Sequence, residues 1–176
     1  MAEIFPELDE RLINFIRAQK IFFVASAPND LQNEYVNLSP KGYDTLEVLD
    51  SKTVVYADYP GSGNETATHL QQNESLTMMF ASLDKTPMVL RLYGRGEALA
   101  LDSPMGKELK EKLGGKVSPY IRQLIILHIE KVKTSCGYGV PYYQYQGKRN
   151  TLVEWCERAA ITGKIKKYMG FLWKGL

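Results

Sequence analysis

The chain has 176 residues, 44% apolar and 24% charged, with a formal net charge of +2. That composition describes one globular domain large enough to need no disulfide or metal staple. The near balance of charge removes the electrostatic case for a nucleic-acid partner, and no apolar run approaches the ~20 residues of a membrane span.

In chain order, Pro6 suits the first turn of a helix, and Leu8, Leu12, Phe15 and Ile16 recur at helical spacing to about Gln19. Residues 21–27 (Ile-Phe-Phe-Val-Ala-Ser-Ala) are short, aromatic and β-branched, which predicts a buried strand. Further short strands are expected at 35–39, 46–49, 53–58, 76–81 and 89–101, separated by Gly, Asp, Ser and Pro. Turns this frequent favour an antiparallel barrel over a parallel sheet with crossover helices. A short helix is expected at 67–73. A second runs from Pro104 to Leu113 and stops at Gly114-Gly115, a natural C-cap. Residues 124–132 are apolar on both faces and predict a central strand. Beyond it, Cys136 to Tyr143 form a loop too aromatic to be a solvated linker. Thr151-x-x-Glu154 reads as a capping box opening a last helix.

Chemistry gathers in two places. Val36-Asn37-Leu38-Ser39-Pro40-Lys41-Gly42 is a strand ending in a hydroxyl and an ammonium, and Gly61-Ser62-Gly63-Asn64-Glu65-Thr66 is a small-residue loop entering a helix. Backbone N–H groups at a helix start, small hydroxyls and one cation are what a phosphate requires. Each residue also has a plainer reading. Lys41 is a cofactor cation or a solvated turn lysine; Ser39 is a cofactor hydroxyl or a strand end. Ser62, Asn64, Thr66 and Thr68 face a ligand or cap the helix. Arg91, inside the apolar run Met88–Leu92, needs a partner: a ligand phosphate or a nearby acid.

Other catalytic patterns are missing from the sequence. His69 and His128 lack metal-ligand spacing, so no metal is expected, and His128 reads as a core histidine. There is no Ser-His-acid arrangement and no nucleophile elbow, and catalytic residues stay unassigned. Cys136 and Cys156 form no disulfide framework, and the N-terminus lacks the basic and apolar regions of a signal peptide. A cytoplasmic location is the expectation.

The helix, the strands at 22–27, 36–41 and 53–56, the helix with His69-Leu70 and Asn73, the strand at 76–80 and Leu90-Arg91-Leu92-Tyr93-Gly94-Arg95-Gly96 come in a distinctive order. Over about residues 10–135 that order resembles the pyridoxamine 5′-phosphate oxidase-like family of FMN-binding proteins. The resemblance implies a mainly β (α+β) fold: a six-stranded antiparallel split β-barrel with flanking helices over residues 1–135. Residues 136–176 would form an aromatic loop and helical extension packed on the same domain. It also implies a homodimer with the ligand groove at the interface. The strand Val36, Asn37, Leu38, Ser39, Lys41 would lie along a flavin ring, with Tyr56 and Ala57 beside it. Lys41 would stand near the ring or the phosphate; Ser62, Asn64, Thr66 and Arg91 are the phosphate candidates read from the residues themselves. The family's Arg-Lys phosphate pair is Glu65-Thr66 here, and its Gln on the following strand is Val89.

The function this implies is an FMN-dependent oxidoreductase acting on a small molecule, because the redox chemistry belongs to the cofactor and needs no acid–base dyad. Two rivals share the fold: a non-catalytic carrier or sensor for a flavin, a haem or another planar ligand, and a deazaflavin-dependent reductase. Loss of the Arg-Lys pair favours the first rival. The second would want more Lys and Arg along the groove.

Overall fold

A computed structural model describes residues 2–114 and 118–169. The elements run β1 (Glu3–Phe5), α1 (Glu10–Ala18), β2 (Phe22–Ser26), β3 (Asn37–Lys41), β4 (Leu46–Asp50), β5 (Thr53–Asp58), α2 (Glu65–Asn73), β6 (Ser75–Ala81), β7 (Met88–Leu99), α3 (Pro104–Leu113), β8 (Gln123–Cys136) and α4 (Thr151–Ile161). A short 3-10 turn follows at Lys164–Tyr168. The strands form one antiparallel sheet in the order β3-β2-β6-β7-β8-β5-β4, with β1 added on β8. It is the mainly β, split-barrel architecture expected, with eight strands rather than six.

Alternation builds the barrel. Along β5 and β8, Val54, Tyr56, Ile125 and Leu127 point into the main core with Leu12, Ile16, Phe22, Met78 and Phe80. Their neighbours Val55, Ala57, Leu124 and Ile126 point outward, under Leu109 and Leu113 of α3. A strand covered on both faces reads as continuously apolar, which is why residues 124–127 carry no polar side chain. Phe22 meets Tyr56 edge-on at 5.6 Å and stacks on Phe80 at 5.7 Å, so the barrel interior is aromatic at its centre.

The phase of β8 changes once. Tyr93 faces Lys131 and Gly94 faces Ile129, so Glu130 is an extra residue against β7. A Cβ on Gly94 would fall 1.9 Å from the His128 carbonyl oxygen, so the bulge needs glycine there. Before it Leu127 and Ile129 face the core; after it Val132 does.

Several boundaries differ from the sequence reading. Pro6 follows strand β1, and α1 starts only after Asp9, whose carboxylate accepts from Leu12 N at 2.7 Å. β3 begins at Asn37, not Tyr35. The helix α4 starts at Thr151 with Asn150 as N-cap and no side-chain cap bond, so the expected capping box does not form. Ser103 does cap α3, and Gly114 ends it at a φ of 57°, a backbone form open to glycine; Gly115 lies outside the described residues. His128 is exposed, not in the core: it stands on the outer face of β8, its Nε2 3.4 Å from the Glu97 carboxylate. Both cysteines are free, Cys136 exposed and Cys156 buried. Among the described residues no helix is long and apolar enough to cross a membrane.

The edge strand β3 and residues after β8 frame one end of the sheet. β3 pairs only with β2, and Pro40 sits within it. The chain beyond Cys136 returns across this end, where Tyr143 N donates to Leu83 O at 3.0 Å and Lys148 pairs with Asp44.

Candidate functional site

The antiparallel register of β5 on β8 sets Asp58 opposite Gln123. Asp58 is thereby buried at the end of an apolar strand, where an uncompensated carboxylate would be costly. Four bonds compensate it. Arg122 donates through Nη2 at 2.7 Å and Nε at 3.3 Å, Gln123 Nε2 donates at 2.9 Å, and Lys41 Nζ stands 3.2 Å from the other oxygen. Burial by itself raises the Asp58 pKa. Lys41, then Arg122 and its hydrogen bonds, then Gln123 outweigh that and hold the carboxyl below its usual range.

The same residues tie the loop before α2 to the sheet. Arg122 Nη1 donates to the Gly63 carbonyl at 3.1 Å, and Gln123 Nε2 to Asn64 Oδ1 at 2.7 Å. Asn64 is the N-cap of α2, yet its side chain makes no cap bond, because the amide is engaged by Gln123. The first-turn N–H groups of α2 are therefore left without a side-chain cap. Across the gap, Asn37 Nδ2 of β3 donates to Thr66 Oγ1 at 2.9 Å.

Between β3, the end of β5 and the start of α2 lies a cavity of about 350 Å³. Asn37, Ser39 and Lys41 enter it from alternate positions of β3, as the period of a strand requires. Ala57, Ser62, Asn64 and Thr66 line it from the other side, together with Asp58, Arg122 and Leu152 of α4. Of the expected residues these seven meet in one hollow. Val36 and Leu38 are exposed on the edge of the sheet, 59% and 65%. Tyr56 is enclosed in the barrel, with the Lys41 ammonium 5.7 Å above its ring. Burial, then the nearby Asp58 charge, pushes its phenol well above the ordinary pKa, against the neighbouring Thr66 hydroxyl and the Arg122 charge. Arg91 is on β7 and donates to Ser135 Oγ at 3.1 Å; it does not line the cavity.

Arg122 and Gln123 escaped the sequence reading. They fall just before the apolar run at 124, in a stretch to which the sequence pattern assigns no element or role. The signal was available in pairing: once the strand at 53–58 is laid antiparallel on 123–128, its terminal Asp58 needs a partner at the start of the other strand. His69, by contrast, is buried and shares a hydrogen bond of 3.0 Å with Ser26, a packed role.

Two features mark the mouth of the cavity. Glu65, exposed, folds its carboxylate back over Gly63, so that a Cβ there would lie 2.2 Å from Glu65 Oε2. Tyr43 and Asp44 both take left-handed backbone, φ 65° and 55°. A pair of non-glycine residues in that region is strained and persists only where surrounding contacts over-determine it. Here the Tyr43 ring rests 5.6 Å from that of Tyr59.

Comparison with known proteins agrees with this architecture. The pyridoxamine 5′-phosphate oxidase family profile matches residues 8–136. The pyridoxamine 5′-phosphate oxidase family protein ustO of Aspergillus flavus is 38% identical over 143 residues, 80% of this chain. The chain spans 57% of the length of that curated relative. Among solved structures, HupZ of Group A Streptococcus superposes with a TM-score of 0.58 at 18% identity, covering 71% of this chain and 91% of that one. A candidate pyridoxamine 5′-phosphate oxidase from Lactobacillus delbrueckii gives 0.54 at 16% identity, covering 73% and 94%. At such identities the structural likeness is one of fold, whereas the profile and the fungal relative speak to descent. The chain belongs to the pyridoxamine 5′-phosphate oxidase family.

Proposed function

We propose that this chain is an FMN-binding oxidoreductase that acts on a small molecule in a groove completed by a second copy of itself. The observation that carries the reading is the pair of cations, Lys41 and Arg122, pinned to one buried carboxylate at the wall of a cavity that also receives the uncapped start of α2. Neither cation is exhausted by Asp58 and Gly63, because an ammonium and a guanidinium each carry more N–H groups than those bonds use. Ser39, Ser62 and Thr66 add hydroxyls, and Asn37 and Asn64 add amides.

The residues fit a phosphate on one condition. Lys41 and Arg122 are balanced formally by Asp58 and Glu65. Glu65, however, is exposed and makes no hydrogen bond or ion pair among the described residues, so turning it outward costs little. Its place at the entrance of α2 is where a ligand anion would be favoured. Bound there, FMN supplies hydride or single-electron transfer at its ring. The chain's own part is to hold the phosphate with Lys41, Arg122 and the α2 entrance. Ala57 and the β3 residues Asn37 and Ser39 would flank the ring. At about 350 Å³ the cavity is at the small end of cofactor sites, which supports a second subunit as the remaining wall.

The test is direct. Protein purified without added cofactor is expected to carry flavin absorbance or to quench added FMN fluorescence stoichiometrically. Lys41→Ala is expected to weaken that binding at least tenfold, and sedimentation is expected to give a dimer. Colourless protein with no affinity for FMN overturns the proposal. A second reading, a carrier or sensor for a planar ligand without catalysis, is favoured by the balanced lining charge. It takes over if the protein binds haem and not FMN.

A further inference from the structure

A second, larger hollow opens beside the first. It measures about 910 Å³ and lies between the end of α1, the turn after β3, the Leu83 turn and the returning segment 143–149. Residues 40–43 line both hollows, so the two are compartments of one groove with Lys41 at the junction.

Its charges do not cancel. Lys148 pairs with Asp44, and Lys41 answers Asp58 in the first compartment. The Asp84 carboxylate is occupied by the Ser82 hydroxyl at 2.7 Å and by Thr86 N at 3.0 Å. Lys20 and Arg149 remain, and neither has an ion-pair partner among the described residues. With Lys148 matched by Asp44 and Lys41 by Asp58, Lys20 and Arg149 stand against the single charge of Asp84, and this net positive balance favours an anion. The rest of the wall is aromatic: Tyr43, Tyr143 and Tyr145. Tyrosines present flat, amphipathic contact area at modest cost in freedom. Tyr43 is moreover the strained residue, held left-handed with its ring against Tyr59 at the boundary of the two compartments. Such strain is retained where a side chain must be aimed.

We infer that this second compartment is a subsite for an aromatic carboxylate, the substrate class of the site proposed above. The inference rests on that reading for its redox role, but the binding itself does not depend on it. The carboxylate is met by Lys20 and Arg149, and the flat body lies against the tyrosines. A singly charged group suits the wall better than a phosphate dianion, because Asp44 and Asp84 also line the hollow.

Titration calorimetry of the full chain with 2-naphthoate and with its neutral counterpart 2-naphthamide tests this. The carboxylate is expected to bind at least fivefold more tightly than the amide. That preference is expected to disappear in Lys20→Gln/Arg149→Gln, while Tyr145→Ala weakens both probes in parallel. Lys20 and Arg149 are exposed, so the double variant is expected to melt with the parent and to keep its affinity for FMN. Equal binding of the two probes, or a preference that survives the double substitution, overturns the subsite. Failure to bind FMN with the naphthoate preference intact strikes the cofactor reading alone; FMN binding without the preference strikes the subsite alone.

Discussion

The floor and the rim of the groove are made differently. The floor is Asp58, Arg122, Gln123 and Asn64, all buried, each bonded to another, and all fixed to strand ends or a helix start. The rim is the edge strand β3, the Tyr43–Asp44 turn and the segment 143–149, where Tyr143 is 67% exposed and the anchors include a backbone bond to Leu83 and a surface ion pair with Asp44. A buried polar network is all-or-nothing, since removing a member strands the others. An exposed rim tolerates change. On the proposed reading, the floor would set the position of a ligand and the rim its choice.

The sharpest way to break the comparison is at Asp58. Asp58→Ala leaves the Arg122 guanidinium buried without its partner, and a loss of about 3–5 kcal/mol is expected in urea denaturation. Asp58→Asn keeps the bond from Gln123 and is expected to lose less. A loss below that of an ordinary surface substitution would mean that the floor is not a network.

Acid should act on the same residue. The folded pKa of Asp58 lies below its unfolded value. Its contribution to stability is therefore complete above the unfolded carboxyl pKa of about 3.9 and is lost as pH falls through the lower, folded value. Stability measured from pH 6 downward is expected to decline below about pH 4, with a shallower decline in Asp58→Asn. Identical acid limbs in the two proteins would remove Asp58 from the account.

Glu65 marks the passage from floor to rim. Glu65→Gln removes a negative charge beside the α2 entrance, and FMN affinity is expected to rise by about 2–5-fold, the size of a charge effect at a helix terminus. A fall in affinity on fluorescence titration would show that the carboxylate helps rather than hinders.

The smallest effect is reserved for the rim itself. Lys148→Ala removes an exposed ion pair with Asp44, and the change in global stability is expected to stay under about 1 kcal/mol. Limited trypsin digestion should nonetheless cleave faster after Arg149, because the segment has lost one of its anchors.

Most of the fold was legible because it follows alternation. The strands at 22–26 and 75–81 each announce one buried face, the run at 53–58 reads as apolar because it is covered on both, and Pro104 with Gly114 brackets α3. Half of the site was legible as well. Ser39, Lys41, Ser62, Asn64 and Thr66 lie in two short stretches with local chemistry, and the structure brings them to one cavity. What stayed hidden depends on register. Arg122 meets Asp58 across 64 positions of sequence, a distance no local pattern reports. Arg91 looked like the missing guanidinium because it interrupts an apolar run, but its neighbours Leu90 and Leu92 take the core face and leave it on the other side with Ser135. His128 was misplaced for a similar reason: the face it occupies is settled by pairing with β7, not by its apolar neighbours.

Pro40 has a consequence beyond the groove. A terminal strand with a free row of main-chain donors and acceptors invites the strands of other molecules, and Tyr35, Val36 and Leu38 make this margin sticky. An imino acid offers no N–H, so Pro40 interrupts that row. Chains crowded together in a cell or a concentrated stock thus find no continuous template on which to stack into fibrils.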